Sequence, residues 1–166
     1  ISSNTVYGLV LEAYASTPTM ASTGNTITGN IISGNGRDGI YAGKDQNNNQ
    51  YLDNTITGTN GLEVSGDFEG NGIYLWKSSG NTVSGNLIAD NVEFGIEMMG
   101  SSGNTITGNS ITGNQDGMVI RNINESTGYS IRDNTIQGNK IFANTEVNLY
   151  ADPNFEFNIA RNWWGS

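Results

Sequence analysis

The stretch that decides the fold is Asn104-Thr105-Ile106-Thr107-Gly108-Asn109-Ser110-Ile111-Thr112-Gly113-Asn114. Two short apolar peaks, Ile106 and Ile111, stand five residues apart, and Gly and Asn follow each of them. A strand of three or four residues with one inward β-branched side chain cannot stand alone. Gly and Asn supply the positive-φ positions at which the chain bends after each peak.

The same unit, Asn-Thr-(Ile/Val)-x-Gly, starts at Asn25, Asn54, Asn81, Asn104 and Asn134, with a partial copy at Asn4 and a degenerate one at Asn158. Successive starts differ by 21, 29, 27, 23, 30 and 24 residues. The shorter steps give the basic unit, and the longer ones carry insertions at 44–53, 62–70 and 122–132. A second peak follows the first by five residues, as in Ile27 and Ile32 or Val83 and Ile88. A third follows a glycine, at Gly8-Leu9, Gly39-Ile40, Gly72-Ile73, Gly95-Ile96 and Gly117-Met118, and Val147 and Leu149 match it near the end. Three bends per unit close a coil, and repetition stacks like strands about 4.8 Å apart. Inward Ile, Val and Leu then form aliphatic ladders, and Asn at equivalent turns forms amide ladders. No helical period competes, and Asn, Gly and Thr are poor helix formers.

The expected fold is an all-β, right-handed parallel β-helix over 1–166, a single domain of about six to seven coils with three short strands each, roughly 30 Å tall. These repeats resemble the pectate-lyase-like and NosD-like β-helix families, over nearly the whole chain from Asn4 to Gly165. The closing Asn162-Trp163-Trp164-Gly165 resembles a segment that ends such helices in archaeal and bacterial surface proteins. The resemblance implies the fold and an extracellular or cell-surface location; it does not fix a function.

Composition narrows the classes. The chain has 166 residues, with 23 Gly, 25 Asn and two Pro, and only 14% are charged. Regular Ile and Val spacing argues against the disorder that low charge and abundant polar residues would otherwise suggest. Seven Lys and Arg against 16 Asp and Glu give a net charge of -9, so a nucleic-acid partner is not expected. No apolar run reaches membrane-spanning length, and no signal-peptide pattern is present. Cys and His are absent, which removes disulfides, thiolate chemistry, Ser-His-Asp catalysis and the commonest zinc ligands.

Repeat sequence runs from Asn4 to Asn158 with no amphipathic helix at either end, so both terminal coils are expected to be bare. This points to an extracellular structural protein whose copies stack head to tail into a filament, sheath or surface layer. The interface would use Asn4, Val6, Phe155, Phe157, Trp163 and Trp164, although the aromatics also suit a local plug. The alternative is a carbohydrate-binding or polysaccharide-cleaving module. Strand alternation places Tyr41, Tyr74, Trp76 and Glu97 outward on the third strand of successive coils, an aromatic stripe suited to sugar rings. Val119 and Arg121 continue it, while Val10, Glu12, Asn148 and Tyr150 hold the matching outer positions of the end coils.

Catalytic residues are not expected. Asp38 and Asp116 share a position before the third-strand glycine, but two intervening coils put them roughly 14 Å apart, too far to act on one glycosidic bond. Glu63, Asp67 and Glu69 fall in an insertion read as a solvated loop. Related polysaccharide lyases place a basic residue beside acidic calcium ligands, whereas Lys44, Lys77, Arg121 and Arg132 have no matched acidic cluster. No cofactor is expected, with calcium the one candidate ion, through Asp45, Asn47, Asn49 and Asp53 in alternating positions. Gln50 stands where such a loop needs glycine. The one Asn-x-Ser/Thr sequon is at Asn124.

Overall fold

The computed structural model describes residues 1–12, 21–62, 69–123, 128–153, 155 and 157–165. Seventeen strands and no helix occur among them. They form three parallel sheets whose strands recur every third element, which is one winding column.

The first sheet holds β2 (Thr26–Thr28), β5 (Gln50–Leu52), β8 (Thr82–Ser84), β11 (Thr105–Thr107), β14 (Thr135–Gln137) and β17 (Asn158–Ala160). The second holds β3 (Ile31–Ser33), β6 (Thr55–Thr57), β9 (Leu87–Ala89), β12 (Ser110–Thr112) and β15 (Lys140–Phe142). Single bridges lengthen it at both ends, Ser2 to Ser33 and Lys140 to Trp163. The third holds β1 (Leu9–Leu11), β4 (Ile40–Ala42), β7 (Ile73–Trp76), β10 (Phe94–Met99), β13 (Asp116–Arg121) and β16 (Leu149–Ala151).

Register turns the sequence peaks into ladders. Tyr51, Val83, Ile106 and Ile136 stack in the first sheet, and Ile32, Ile56, Ile88, Ile111 and Ile141 in the second. Ile40, Ile73, Ile96 and Met118 stack in the third. All are fully buried. Each such side chain contributes about 1.5–3 kcal/mol by leaving water.

Asparagines lock the corners. In the first ladder Asn25, Asn49, Asn81 and Asn104 each donate a backbone N–H to the Oδ1 of the next member, ending at Asn134, over 2.8–2.9 Å. The second runs Asn30, Asn54, Asn86, Asn109, Asn139 and Asn162 in the same sense. A third joins Thr59, Asn91, Asn114 and Asn144. Thr59 breaks this third ladder because it has no amide oxygen. Its hydroxyl donates to the Gly70 carbonyl instead, and the buried Asn35 Nδ2 one coil away is left without a partner.

Two copies of the repeat sit elsewhere than their spelling suggests. Asn54-Thr55-Ile56 belongs to the second sheet, because Ile56 pairs with Ile32 and Ile88. Asn4 stands at the corner after the second sheet, where its N–H and Nδ2 donate to Asn35 Oδ1. Successive rungs of the first ladder are therefore 24, 32, 23 and 30 residues apart.

Candidate functional site

Outward positions of the third sheet form two rows. Val10, Tyr41, Tyr74, Glu97, Val119 and Tyr150 make one; Trp76, Met99 and Arg121 make the other. The rows are as the alternation requires, but the stripe is not open. Tyr74 and Glu97 are only 8% and 5% exposed. Tyr7 stacks on Tyr41 with ring centroids 5.2 Å apart, and Tyr41 tilts against Tyr74 at 5.7 Å. The Arg37 guanidinium lies over the Tyr7 ring and pairs with Glu69. The Tyr7 hydroxyl donates to Glu69 Oε2 at 3.4 Å. Burial, with the Glu69 charge, pushes the Tyr7 phenol up to about 12.

Below this covered part lies a cavity of about 320 Å³ lined by Glu69, Tyr74, Glu93, Phe94, Glu97, Met99 and Arg121. Glu97 is its buried polar centre. Its Oε1 lies 3.4 Å from Arg121 Nη1, and its Oε2 accepts from Asn71 Nδ2 at 3.3 Å. Burial raises the Glu97 carboxyl to about 7, with the Glu93 and Glu69 charges adding and Arg121 and Asn71 opposing. Burial also raises Glu93, against a backbone hydrogen bond from Gly70. The Tyr74 hydroxyl, held neutral by burial, donates to Met99 Sδ at 3.6 Å. A carboxyl raised by burial beside a guanidinium and a neutral phenol can hold, give or take a proton.

Trp76 is separate from the cavity. The Lys77 ammonium lies 4.6 Å from its ring and 5.4 Å from the Tyr129 ring, and the Tyr129 hydroxyl donates to Asp45 Oδ1 at 2.9 Å. Asp38 and Asp116 do not line the cavity. They hold corners, with Asp38 Oδ1 accepting from Asn71 N–H at 2.9 Å and Asp116 Oδ1 from Val147 N–H at 3.1 Å.

Asp45, Asn47 and Asn49 precede strand β5 and Asp53 follows it. Strand β5 runs between Asn49 and Asp53, and Asn49 is a fully buried rung of the first ladder. Asn47 Oδ1 accepts from Ser79 N–H, and Asp45 from Tyr129. The stretch expected to hold an ion forms a coil in which Tyr51 takes the place of Ile. Among the described residues no three acidic side chains converge as a metal site. At the lower end Phe155 and Phe157 pack against the core, while Trp163 and Trp164 are exposed beside a second cavity of about 430 Å³ with Phe142 and Asn148. At the upper end Val6 is exposed. Asn124, Glu63 and Asp67 lie outside the described residues.

Sequence reasoning missed Glu93 as a site residue and left Arg121 and Glu69 without partners. Arg121 follows the inward Ile120 of β13, so the alternation itself signalled its outward place. Nothing local signals Glu69, whose position depends on the pair with Arg37.

The chain belongs to the right handed beta helix region family, whose model matches residues 1–163. No curated protein matches it significantly in sequence. Among solved structures, the periplasmic alginate epimerase AlgG matches with a TM-score of 0.68 and 17% identity over 100% of this chain and 39% of that one. A double mutant of AlgG matches with a TM-score of 0.70 and 17% identity over 98% of this chain and 39% of that one. The likeness is one of fold, and this chain spans 39% of the length of those chains.

Proposed function

We propose that the outer face of the third sheet binds a polysaccharide chain in a secreted or cell-envelope protein, with Glu97 as the acid–base centre of the site. The observation that carries this reading is Glu97 itself. A carboxyl almost fully withdrawn from water has been placed on the outer, not the inner, face of a sheet, where it opens on a cavity with Arg121 and Tyr74. The core gains nothing from such a group, and burial of an ionisable side chain in a cleft favours a functional role. The fold shared with a periplasmic alginate epimerase supports both the ligand class and the location.

The test is titration with a panel of neutral, acidic and basic oligosaccharides, followed by tryptophan fluorescence and calorimetry. One class should bind, and Arg121→Ala should weaken it tenfold or more. Silence across the panel removes the reading.

A second reading is end-to-end stacking of copies, favoured by the polarity of the asparagine ladders. Each inner rung of the second ladder donates its N–H toward the following coil and accepts from the preceding one. A copy stacked in the same direction would continue the second ladder beyond Asn162, whereas a reversed copy would set like groups face to face. Negative-stain images of the purified chain should then show fibres of uniform width; monodisperse particles at high concentration count against it.

A further inference from the structure

We infer that Asn60 is a self-modifying residue: the Gly61 backbone nitrogen attacks its side-chain amide, and water completes its conversion to aspartate and isoaspartate. The inference stands apart from both the polysaccharide-binding and the stacking readings.

Asn followed by Gly is the pairing that hinders this reaction least, because no side chain shields the attacking nitrogen and glycine turns freely. The sequence holds three such pairs, Asn35-Gly36, Asn60-Gly61 and Asn71-Gly72. The fold ties down two of them. Asn35 and Asn71 are fully buried. The Asn35 carbonyl accepts from Asn60 N–H, and Gly36 N–H donates to the Asn4 carbonyl, both at 2.9 Å. The Asn71 carbonyl accepts from Gly39 N–H at 2.9 Å, and Gly72 N–H donates to the Phe94 carbonyl at 2.8 Å. A peptide unit held on both sides cannot swing its nitrogen onto the neighbouring side chain without leaving buried groups unpaired.

Asn60 differs on each count. It is exposed, and its Nδ2 makes one long bond, 3.3 Å, to the Gly34 carbonyl. Among the described residues, the peptide unit joining Asn60 to Gly61 has no hydrogen bond at its carbonyl or at its N–H. The cause lies in the winding. Val92 and Glu93 of the next coil donate to the carbonyls of Thr59 and Gly70. The hydrogen bonds of the column therefore step over Asn60 and Gly61, where the chain leaves for its insertion.

A bond forms between the Gly61 nitrogen and Asn60 Cγ as that nitrogen gives its proton to solvent. The bond from Cγ to Nδ2 breaks, and Nδ2 takes a proton from solvent and leaves as ammonia. Water then opens the cyclic imide at either of its carbonyls, giving aspartate or isoaspartate. The balance is one water consumed and one ammonia released. Either product adds a negative charge. Isoaspartate also lengthens the main chain by a methylene, at the corner where Leu62 N–H bonds the Gly36 carbonyl.

The test incubates the folded chain in mildly alkaline buffer made with heavy-oxygen water, then digests it for mass spectrometry of the peptides carrying each pair. The label marks carboxyls formed during the incubation. Asn60 should convert at least tenfold faster than Asn35 or Asn71, whose reaction needs a local opening of the coil. In concentrated urea, where no coil protects any pair, the three rates should draw within about threefold of one another. Asn60→Gln, which closes its larger ring far more slowly, should abolish the fastest acidic shift seen in native ion exchange and leave the urea midpoint unchanged. Equal rates in the folded chain overturn the inference. So does a lead of Asn60 that persists undiminished in urea, since local sequence and not the fold would then choose the site. An Asn60 that remains an amide in the folded chain while converting in urea, or an acidic shift that survives in the variant, overturns it as well.

Discussion

Glu97 and Arg121 stand on adjacent strands but in different rows, and their side chains meet diagonally, 3.4 Å apart, across the outer face of the third sheet. Arg121 pairs in register with Met99, and Glu97 with Val119. The diagonal leaves Glu97 tilted into the cavity wall, where burial outweighs the attraction of the guanidinium.

That balance makes stability fall with rising pH. The folded carboxyl titrates near 7, above its ordinary value of 4.5. Between those values the folded chain holds a proton that the unfolded chain has lost, so unfolding becomes easier as pH rises through this window and then levels. Full ionisation costs the fold about 3 kcal/mol. Glu97→Gln should remove this part of the slope, so urea denaturation at pH 5 and pH 8 should show the variant gaining on the parent by roughly that amount at the higher pH. Asp38, also raised by burial, contributes a slope of the same sign to both proteins. An identical pH slope in the two proteins would contradict the placement of Glu97.

Tyr51 fills a position that Val83 and Ile106 fill in the coils below it, and its hydroxyl is buried with no hydrogen-bond partner. Tyr51→Phe removes an unsatisfied polar group without opening a cavity, and should raise stability by about 1 kcal/mol or more. A loss of stability in chemical denaturation would mean that the hydroxyl has a partner.

The same residue shows where the sequence stopped being legible. Peaks spelled Ile or Val between Asn and Gly revealed the column, although the spelling alone did not show that Asn54-Thr55-Ile56 belongs to the second sheet. Gln50-Tyr51-Leu52 breaks the spelling while keeping the geometry, because an inward ring can occupy the volume of a β-branched side chain when neighbouring rungs allow it. The outer rows were legible because strand alternation has no exceptions at Tyr41, Tyr74 and Glu97. Their burial was not, because it depends on Tyr7, which stacks on Tyr41 from the preceding coil, and on Arg121 and Asn71, which meet Glu97.

The asparagine ladders predict an asymmetry between middle and end. Asn109 Oδ1 accepts from both the N–H and the Nδ2 of Asn86, while its own Nδ2 donates to the Val83 carbonyl at 2.9 Å. Asn109→Ala strands at least two buried groups, at about 1–3 kcal/mol each. Asn30 lies on the terminal coil and is only partly buried, so water replaces what Asn30→Ala removes. Denaturant midpoints should fall clearly for the first and little for the second; equal falls would mean that the ladder carries no more load in the middle than at its end.

Two glycines separate crowding from backbone strain. Gly29 has φ +66, with nothing within 4 Å of where a Cβ would stand. Gly29→Ala therefore pays only for a left-handed alanine, about 1–2 kcal/mol. Gly95 has no such φ, but a Cβ there would sit 2.5 Å from Ile111 Cγ2, 2.6 Å from the Gly117 carbonyl oxygen and 2.9 Å from Asn114 Nδ2. The second contact is backbone of the next coil, and it cannot yield without lengthening the hydrogen bonds that join β10 to β13. Gly95→Ala should therefore destabilise more than Gly29→Ala, by several kcal/mol in total. It should also accelerate amide exchange at Ile96 and Met118, the paired residues on either side of the strained step. If Gly95→Ala proves as mild as Gly29→Ala, the coils are not packed as closely at this corner as the stacked glycines require.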